Sequence, residues 1–278
     1  MPLSEMTSRQ APIGLFDSGL GGLSVARAIL RLLPQESLLY FADLAHLPYG
    51  PRPLEEIKGF ALDLVSFLIE QGAKAVVMGC NTSSAVALEA ARQRHRQPIF
   101  GVIQPGVKAA LQASRGRRLG VIATQATVNS HAYRTEILAR EPRASVIEQA
   151  CPAFVPLVER GDFDGPEVWK AAREYLTPVQ EFEADTLIFG CTQYPFLAAV
   201  VRKTLGPQVT LVDPAEETAR EVARELEDRG LLAPAGGKPW RRYFASGGPG
   251  TFAETGRHLL GEDIPKVEVV NPWEEGRG

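Results

Sequence analysis

The sequence predicts an α/β protein made of two similar doubly wound units, each on a parallel sheet. Two observations carry this. Short apolar runs alternate with longer amphipathic stretches in strand–helix–strand order, which is how parallel βαβ units read. The pattern also recurs. GLFDS at 14–18 aligns with GVIAT at 120–124 at an offset of 106 residues, and VVMGCNT at 76–82 with LIFGCTQ at 187–193 at an offset of 111. Similar offsets in the same order read as two related units, each ending a buried strand with Gly-Cys and a polar residue.

The elements follow in order. IGLF at 13–16 is a strand ending at Asp17-Ser18-Gly19, and LSVARAILRLL has helical spacing closed by Pro34. SLLYFA at 37–42 is the next strand, and 54–71 a helix with Gly72 past its end as a C-cap. AVVM at 75–78 leads to Gly79-Cys80-Asn81-Thr82, then a helix over SSAVALEAARQRHR and a strand at IFGV, 99–102. A linker is expected near Gln104-Pro105-Gly106. The second unit then has LGVIA at 119–123 leading to Thr124, TLIF at 186–189 and VTLV at 209–212. Asp213-Pro214-Ala215-Glu216 has helix-start chemistry, with a capping Asp and Pro in the first turn. After that helix come a loop at 233–239 and a strand, RRYFAS at 241–246, which are too short for a domain of their own. The expected division is therefore a discontinuous first domain, 1–104 plus 213–278, carrying Cys80, and a second, 105–212, carrying Cys191. The tail NPWEEGRG reads as polar and frayed.

Composition narrows the function classes. The chain has 278 residues, 45% hydrophobic and 23% charged, with a net charge of −3. That balance gives no general attraction to nucleic acid or anionic membranes. No apolar run approaches the length of a membrane span, and MPLSEMTSRQ lacks the basic and apolar regions of a signal peptide. Three cysteines fit a reducing cytoplasm better than a disulfide scaffold. No metal is expected: there is no CxxC, and His46, His95, His131 and His258 share no ligand spacing.

The stretch Asp17-Ser18-Gly19-Leu20-Gly21-Gly22 fails three familiar patterns. GxGxxG from Gly19 needs glycine where Ser24 stands, a P-loop from Gly14 has Leu20 in place of Lys, and a nucleophile elbow at Ser18 lacks both glycines. What remains is a strand end feeding a helix, whose free N–H groups favour a carboxylate or phosphate. A turn that needs glycine only for positive φ is the alternative.

Cys80 and Cys191 each stand at the carboxyl end of a strand, where open α/β sheets bind ligands. Each follows a glycine and precedes polar side chains: Asn81, Thr82 and Ser83 after one, Thr192, Gln193 and Tyr194 after the other. A thiol at a helix N-terminus is expected to have its pKa lowered. Two such thiols facing each other across a cleft form a racemase or epimerase device, one thiolate removing a proton while the opposite thiol donates one. Cys151 lacks this context and reads as a buried structural thiol.

These segments resemble the cofactor-independent amino-acid racemases, and among them the bacterial glutamate racemases. The likeness lies in FDSGLGGLSV at 16–25, ADLAHLPYG at 42–50, GCNTSSA at 79–85, ACPAFVPLVERG at 150–161 and GCTQYP at 190–195, with GVIQPG at 101–106 and FASGGPGTF at 244–252. It implies two pseudo-two-fold-related domains with the active site between them, no cofactor, and D-glutamate made for peptidoglycan synthesis. Cys80 matches the thiolate that takes the α-proton of D-glutamate, and Cys191 the one acting on L-glutamate. Asp17, Ser18, Tyr49, Gly50, Asn81, Thr82 and Thr192 match substrate-contacting positions, and Thr124 is expected with them. Asp17 matches a carboxylate supporting the first cysteine, and Asp43 and Glu159 match acidic positions tied to catalysis. A cytoplasmic homodimer is expected, with no nucleic-acid or membrane partner.

Gln193 departs from the family, where histidine usually follows GCT and assists the second cysteine. Glutamine exchanges hydrogen bonds but carries neither charge nor proton. It is expected among both the catalytic and the substrate-binding residues, with Glu159 helping. Two alternatives stay open on sequence: a weakly active or non-catalytic amino-acid-binding module, and a racemase of another small acid such as aspartate.

Overall fold

The computed structural model describes residues 8–248, 252, 256, 257, 259, 260, 263, 264 and 266–273. His258, residues 1–7 of the opening segment, 249–251 of FASGGPGTF and 274–278 of the tail lie outside the described residues.

The chain runs β1 (Ile13–Asp17), α1 (Leu23–Leu32), β2 (Leu38–Ala42), α2 (Leu54–Glu70), β3 (Ala75–Met78), α3 (Asn81–Arg94) and β4 (Ile99–Gly101). It continues through α4 (Ile103–Ala113), β5 (Arg118–Ala123), α5 (Gln125–Ser130), α6 (Ala132–Arg140), β6 (Ser145–Ala150), α7 (Phe154–Glu159), α8 (Pro166–Glu181) and β7 (Thr186–Gly190). A 3-10 turn at Tyr194–Leu197, α9 (Ala198–Leu205), β8 (Thr210–Val212), α10 (Ala215–Asp228), β9 (Arg241–Ala245) and β10 (Val267–Val269) complete it.

Two sheets result, ordered β10-β9-β2-β1-β3-β4 and β6-β5-β7-β8, with every pairing parallel. Strands β1, β2, β3, β4 and β7 are buried along their whole length, as helices on both faces require. The order β2-β1-β3-β4 in one sheet matches β6-β5-β7-β8 in the other, so β1 corresponds to β5 and β3 to β7. In each sheet the chain leaves the first strand to one side and returns on the other. That reversal opens a crevice at the strands' carboxyl ends. Asp17 and Cys80 lie at one crevice, Thr124 and Cys191 at the other.

Several expectations change. Gln104-Pro105-Gly106 is no linker but the start of α4. Proline is tolerated in a first turn, where its missing N–H has no partner to lose. Gly106 gives close packing, since a Cβ there would come within 2.9 Å of Pro214 Cγ. The stretch between Thr124 and TLIF, in which the sequence pattern assigns no elements, holds α5, α6, β6, α7 and α8. Strand β6 lies at a sheet edge and is only partly buried, so its apolar signal is diluted by Glu148 and Gln149. The described part of the tail is packed: the Trp273 ring lies 4.4 Å from His46, 5.7 Å from Phe60 and 6.3 Å from Phe41. Asp213 stands one residue ahead of the α10 N-cap, which is Pro214, and its side chain accepts the Ala215 N–H at 3.0 Å, while Gly72, with φ +86°, closes α2. Among the described residues, no helix is long and apolar enough to cross a membrane.

Candidate active site

A cavity of about 410 Å³ opens between the two sheets' carboxyl ends. Both switch points feed it. Asp17, Ser18, Cys80, Asn81 and Thr82 come from the β1 and β3 ends, Thr124, Cys191, Thr192 and Gln193 from the β5 and β7 ends, and Tyr49 and Gly50 from the loop after β2. Glu159 and Asp43 do not line it. Pro152, Val155 and Pro156 add an apolar wall that residue-by-residue reading missed, although ACPAFVPLVERG had stood out as a segment.

Strand register brings the groups together. β1 and β3 pair Phe16 with Met78, which sets Ser18 level with Cys80, and the Cys80 thiol lies 3.6 Å from Ser18 Oγ. β5 and β7 pair Ala123 with Gly190, setting Thr124 level with Cys191. Cys80 is the N-cap residue of α3. Cys151 is fully buried away from the cavity, consistent with a packing role, and its carbonyl accepts the Tyr194 hydroxyl at 2.9 Å.

The glycine-rich turn takes a carboxylate, as its free N–H groups favour, but that carboxylate is the chain's own Asp17. Its glycines do not have positive φ. They are small because the chain is crowded: a Cβ on Gly21 would come within 2.4 Å of Thr192 Oγ1, one on Gly19 within 2.7 Å of Leu47, and one on Gly22 within 2.6 Å of Asp17 Cβ. Its N–H groups face Asp17. Gly22 donates to Asp17 Oδ2 at 2.9 Å, and Tyr40, fully buried, anchors the turn by donating to the Gly19 carbonyl at 3.0 Å. The other Asp17 oxygen, Oδ1, is buried with no partner among the described residues.

Electrostatics correct a second expectation. The dipole argument predicted acidic thiols, yet burial is the largest influence on both cysteines and pushes both pKa values up. Asp17's charge raises Cys80 further, while Ser83 and Ser18 partly offset it. For Cys191 the Gln193 N–H pulls downward, and Asp17 and Cys80 push up. Desolvation penalises a thiolate more than one turn of helix can repay. Asp17 itself is lifted from 3.8 to about 6, chiefly by burial and less by Glu159's charge, against the lowering effect of the turn's N–H groups.

The supporting residues explain the rest. Gln193 donates Nε2–H to Glu159 Oε1 at 2.6 Å, while its own Oε1 is buried and unpartnered among the described residues. Burial raises the Glu159 pKa, and that hydrogen bond lowers it. Asp43, fully buried, receives the hydroxyls of Tyr49 at 2.6 Å and Ser246 at 2.8 Å, with His46 Nδ1 at 2.9 Å. Its place is behind Tyr49, which it orients. Thr82 and Thr124 meet at 3.1 Å, and each lies 3.0 Å from the Thr127 hydroxyl. Thr127 escapes sequence reading because it does not lie in a strand-end motif.

Comparison with known proteins follows the same outline. A family model described as Asp/Glu/Hydantoin racemase matches residues 13–222. A glutamate racemase of Parafrankia sp. (strain EAN1pec) is 46% identical over 261 residues, 94% of each chain. A glutamate racemase isoform from Bacillus anthracis superposes with a TM-score of 0.90 at 37% identity, covering 95% of this chain and 98% of that one. The Francisella tularensis glutamate racemase in complex with D-glutamate gives 0.89 at 34% identity, again over 95% and 98%.

Proposed function

The chain belongs to the Asp/Glu/hydantoin racemase family, and from that premise we propose that it interconverts L- and D-glutamate by proton transfer between two cysteines. The observation that carries the reading is the placement of Cys80 and Cys191 at equivalent strand ends of two matching sheets, lining one cavity. The glutamate racemase relatives supply the substrate.

In this reading glutamate enters as a zwitterion with a side-chain carboxylate. Its ammonium offsets the Asp17 charge and favours a thiolate that burial and that charge disfavour. One thiolate takes the Cα proton, leaving the electron pair on Cα conjugated with the carboxylate. The opposite thiol then delivers its proton to the other face. The first sulfur ends as thiol and the second as thiolate, so the next turnover runs in reverse or after both exchange protons with solvent. Asp17 serves the Cys80 side and the Gln193–Glu159 pair the Cys191 side. Neutral donors at Ser18, Asn81, Thr82, Thr124 and Thr192, with Tyr49 and Gly50, hold the carboxylates in an enclosed site where such contacts strengthen. Residues 1–104 with 213–278 and 105–212 are read as the two folding units that enclose it. The reading carries with it a cytoplasmic homodimer that supplies D-glutamate to peptidoglycan synthesis.

The test incubates each glutamate enantiomer in D₂O and follows circular dichroism and Cα deuterium. Racemisation with deuterium incorporation from both enantiomers is expected. Binding without exchange would make the protein a binding module, and exchange of aspartate alone would move the substrate.

Gln193 gives a second expected result. The equilibrium constant of racemisation is one, so kcat/KM is equal in both directions whatever stands at this position. Gln193→His, which restores a group able to carry a proton, should raise both values together, on the order of 10²-fold. Unchanged rates, with the Cys191 pKa unmoved, would remove Gln193 from the proton-transfer account.

A further inference from the structure

Asn81 lines the cavity immediately after Cys80, and it is held from behind by a residue of the other sheet's helices. Tyr133, in the first turn of α6 and fully buried, donates its hydroxyl to Asn81 Oδ1 at 2.6 Å. The phenol stays a donor, because burial and the nearby Asp213 and Cys191 push its pKa up. Its ring packs on Gly190, where a Cβ would come within 3.2 Å of Tyr133 Cε2. One side chain thus touches the residue after Cys80 and the residue before Cys191.

A carboxamide has an acceptor at one end and two donors at the other. With Oδ1 turned back onto Tyr133, Nδ2 is the end left for the cavity. Direction matters here because, among the described residues, no Lys, Arg or His lines the cavity. An anionic group in this site relies on neutral donors, and an amide turned the wrong way would repel it.

We propose that Tyr133 is a positioning residue, whose hydroxyl fixes the Asn81 amide so that Nδ2 donates to a carboxylate of the bound amino acid. The amide's orientation follows from the Tyr133 contact alone, and its effect on turnover rests on the glutamate racemase reading.

Tyr133→Phe keeps the ring on Gly190 and removes only the hydroxyl. It is expected to raise KM for both glutamate enantiomers by about tenfold, with kcat nearly unchanged. In an Asn81→Ala background the same substitution should leave KM within about twofold, since there is no amide left to orient. Asn81→Asp provides the second variant: it replaces the inward donor with a carboxylate and should raise KM by about 100-fold or more through like-charge repulsion. An unchanged KM in Tyr133→Phe, an equal rise with Asn81 absent, or a tolerated Asn81→Asp would each overturn the proposal. A readout that needs no substrate separates this from the function itself. The Asn81 side-chain ¹⁵N–¹H signals, assigned by their loss in Asn81→Ala, should shift in Tyr133→Phe. If they do not move, the Tyr133 proposal is wrong even in an active racemase. If they move in a protein that neither racemises nor exchanges glutamate, the orientation stands and the functional reading falls.

Discussion

Cys80→Ala and Cys191→Ala are each expected to lower racemisation on the order of 10⁴-fold, while each should leave one half of the proposed chemistry intact. The two thiols reach the cavity from different sheets, and in the proposed mechanism each serves one face of Cα. With Cys191 gone, Cys80 is expected still to remove and return a proton on its own face. The resemblance assigns that face to D-glutamate. In D₂O the variant should wash deuterium into D-glutamate without inverting it, and leave L-glutamate untouched. Cys80→Ala should show the mirror result. Circular dichroism reads inversion and mass spectrometry reads exchange. A variant that still racemises near the wild-type rate would rule out the two-thiol mechanism, and one that exchanges both enantiomers would show a single base reaching both faces.

Asp17→Asn should stabilise the fold and disable the enzyme together. Burial raises the Asp17 pKa from 3.8 to about 6. Between those values the native state holds more protons than the unfolded chain, so stability falls as pH rises through the window. Above about pH 6 the full cost is present, about 3 kcal/mol for a shift of this size. Asparagine keeps an acceptor for the Gly22 N–H without the charge. Urea denaturation should therefore show a gain of up to about 2–3 kcal/mol near pH 8 that disappears below about pH 4. Racemisation should fall on the order of 10²–10³-fold, since Asp17 supports the Cys80 side of the proposed proton transfer. In the wild type, activity should decline as pH drops below about 6. A variant less stable than wild type near pH 8 would show that the Asp17 carboxylate is stabilising there, against the burial argument.

The contrast between Asp17 and the cysteines shows what could be read from the chain. All three stand at strand ends, and strand ends follow from short apolar runs and their punctuation. That is why β1, β3, β5 and β7, and the residues just after them, were legible. The direction of their pKa shifts was not. Sequence offers the local effect, a helix N-terminus that favours a thiolate, whereas burial depends on how completely distant segments close over the sulfur. The glycine-rich turn repeats the lesson. Its composition allowed an anion cradle or a positive-φ turn, but the glycines answer to Thr192 and Leu47 pressing on them from elsewhere in the chain.

Local chemistry therefore determined the parallel α/β architecture, the repeated strand-end motif and the cysteine pair, since backbone periodicity and residue type act over a few neighbours. Tertiary structure alone decided that 104–106 begin a helix, that Asp43 serves Tyr49, that burial pushes both thiols' pKa values up, and that Thr127 and Tyr133 back the cavity. Each of these depends on contacts between segments far apart in the chain. Their strength is set by enclosure and the exclusion of water, which no local pattern records.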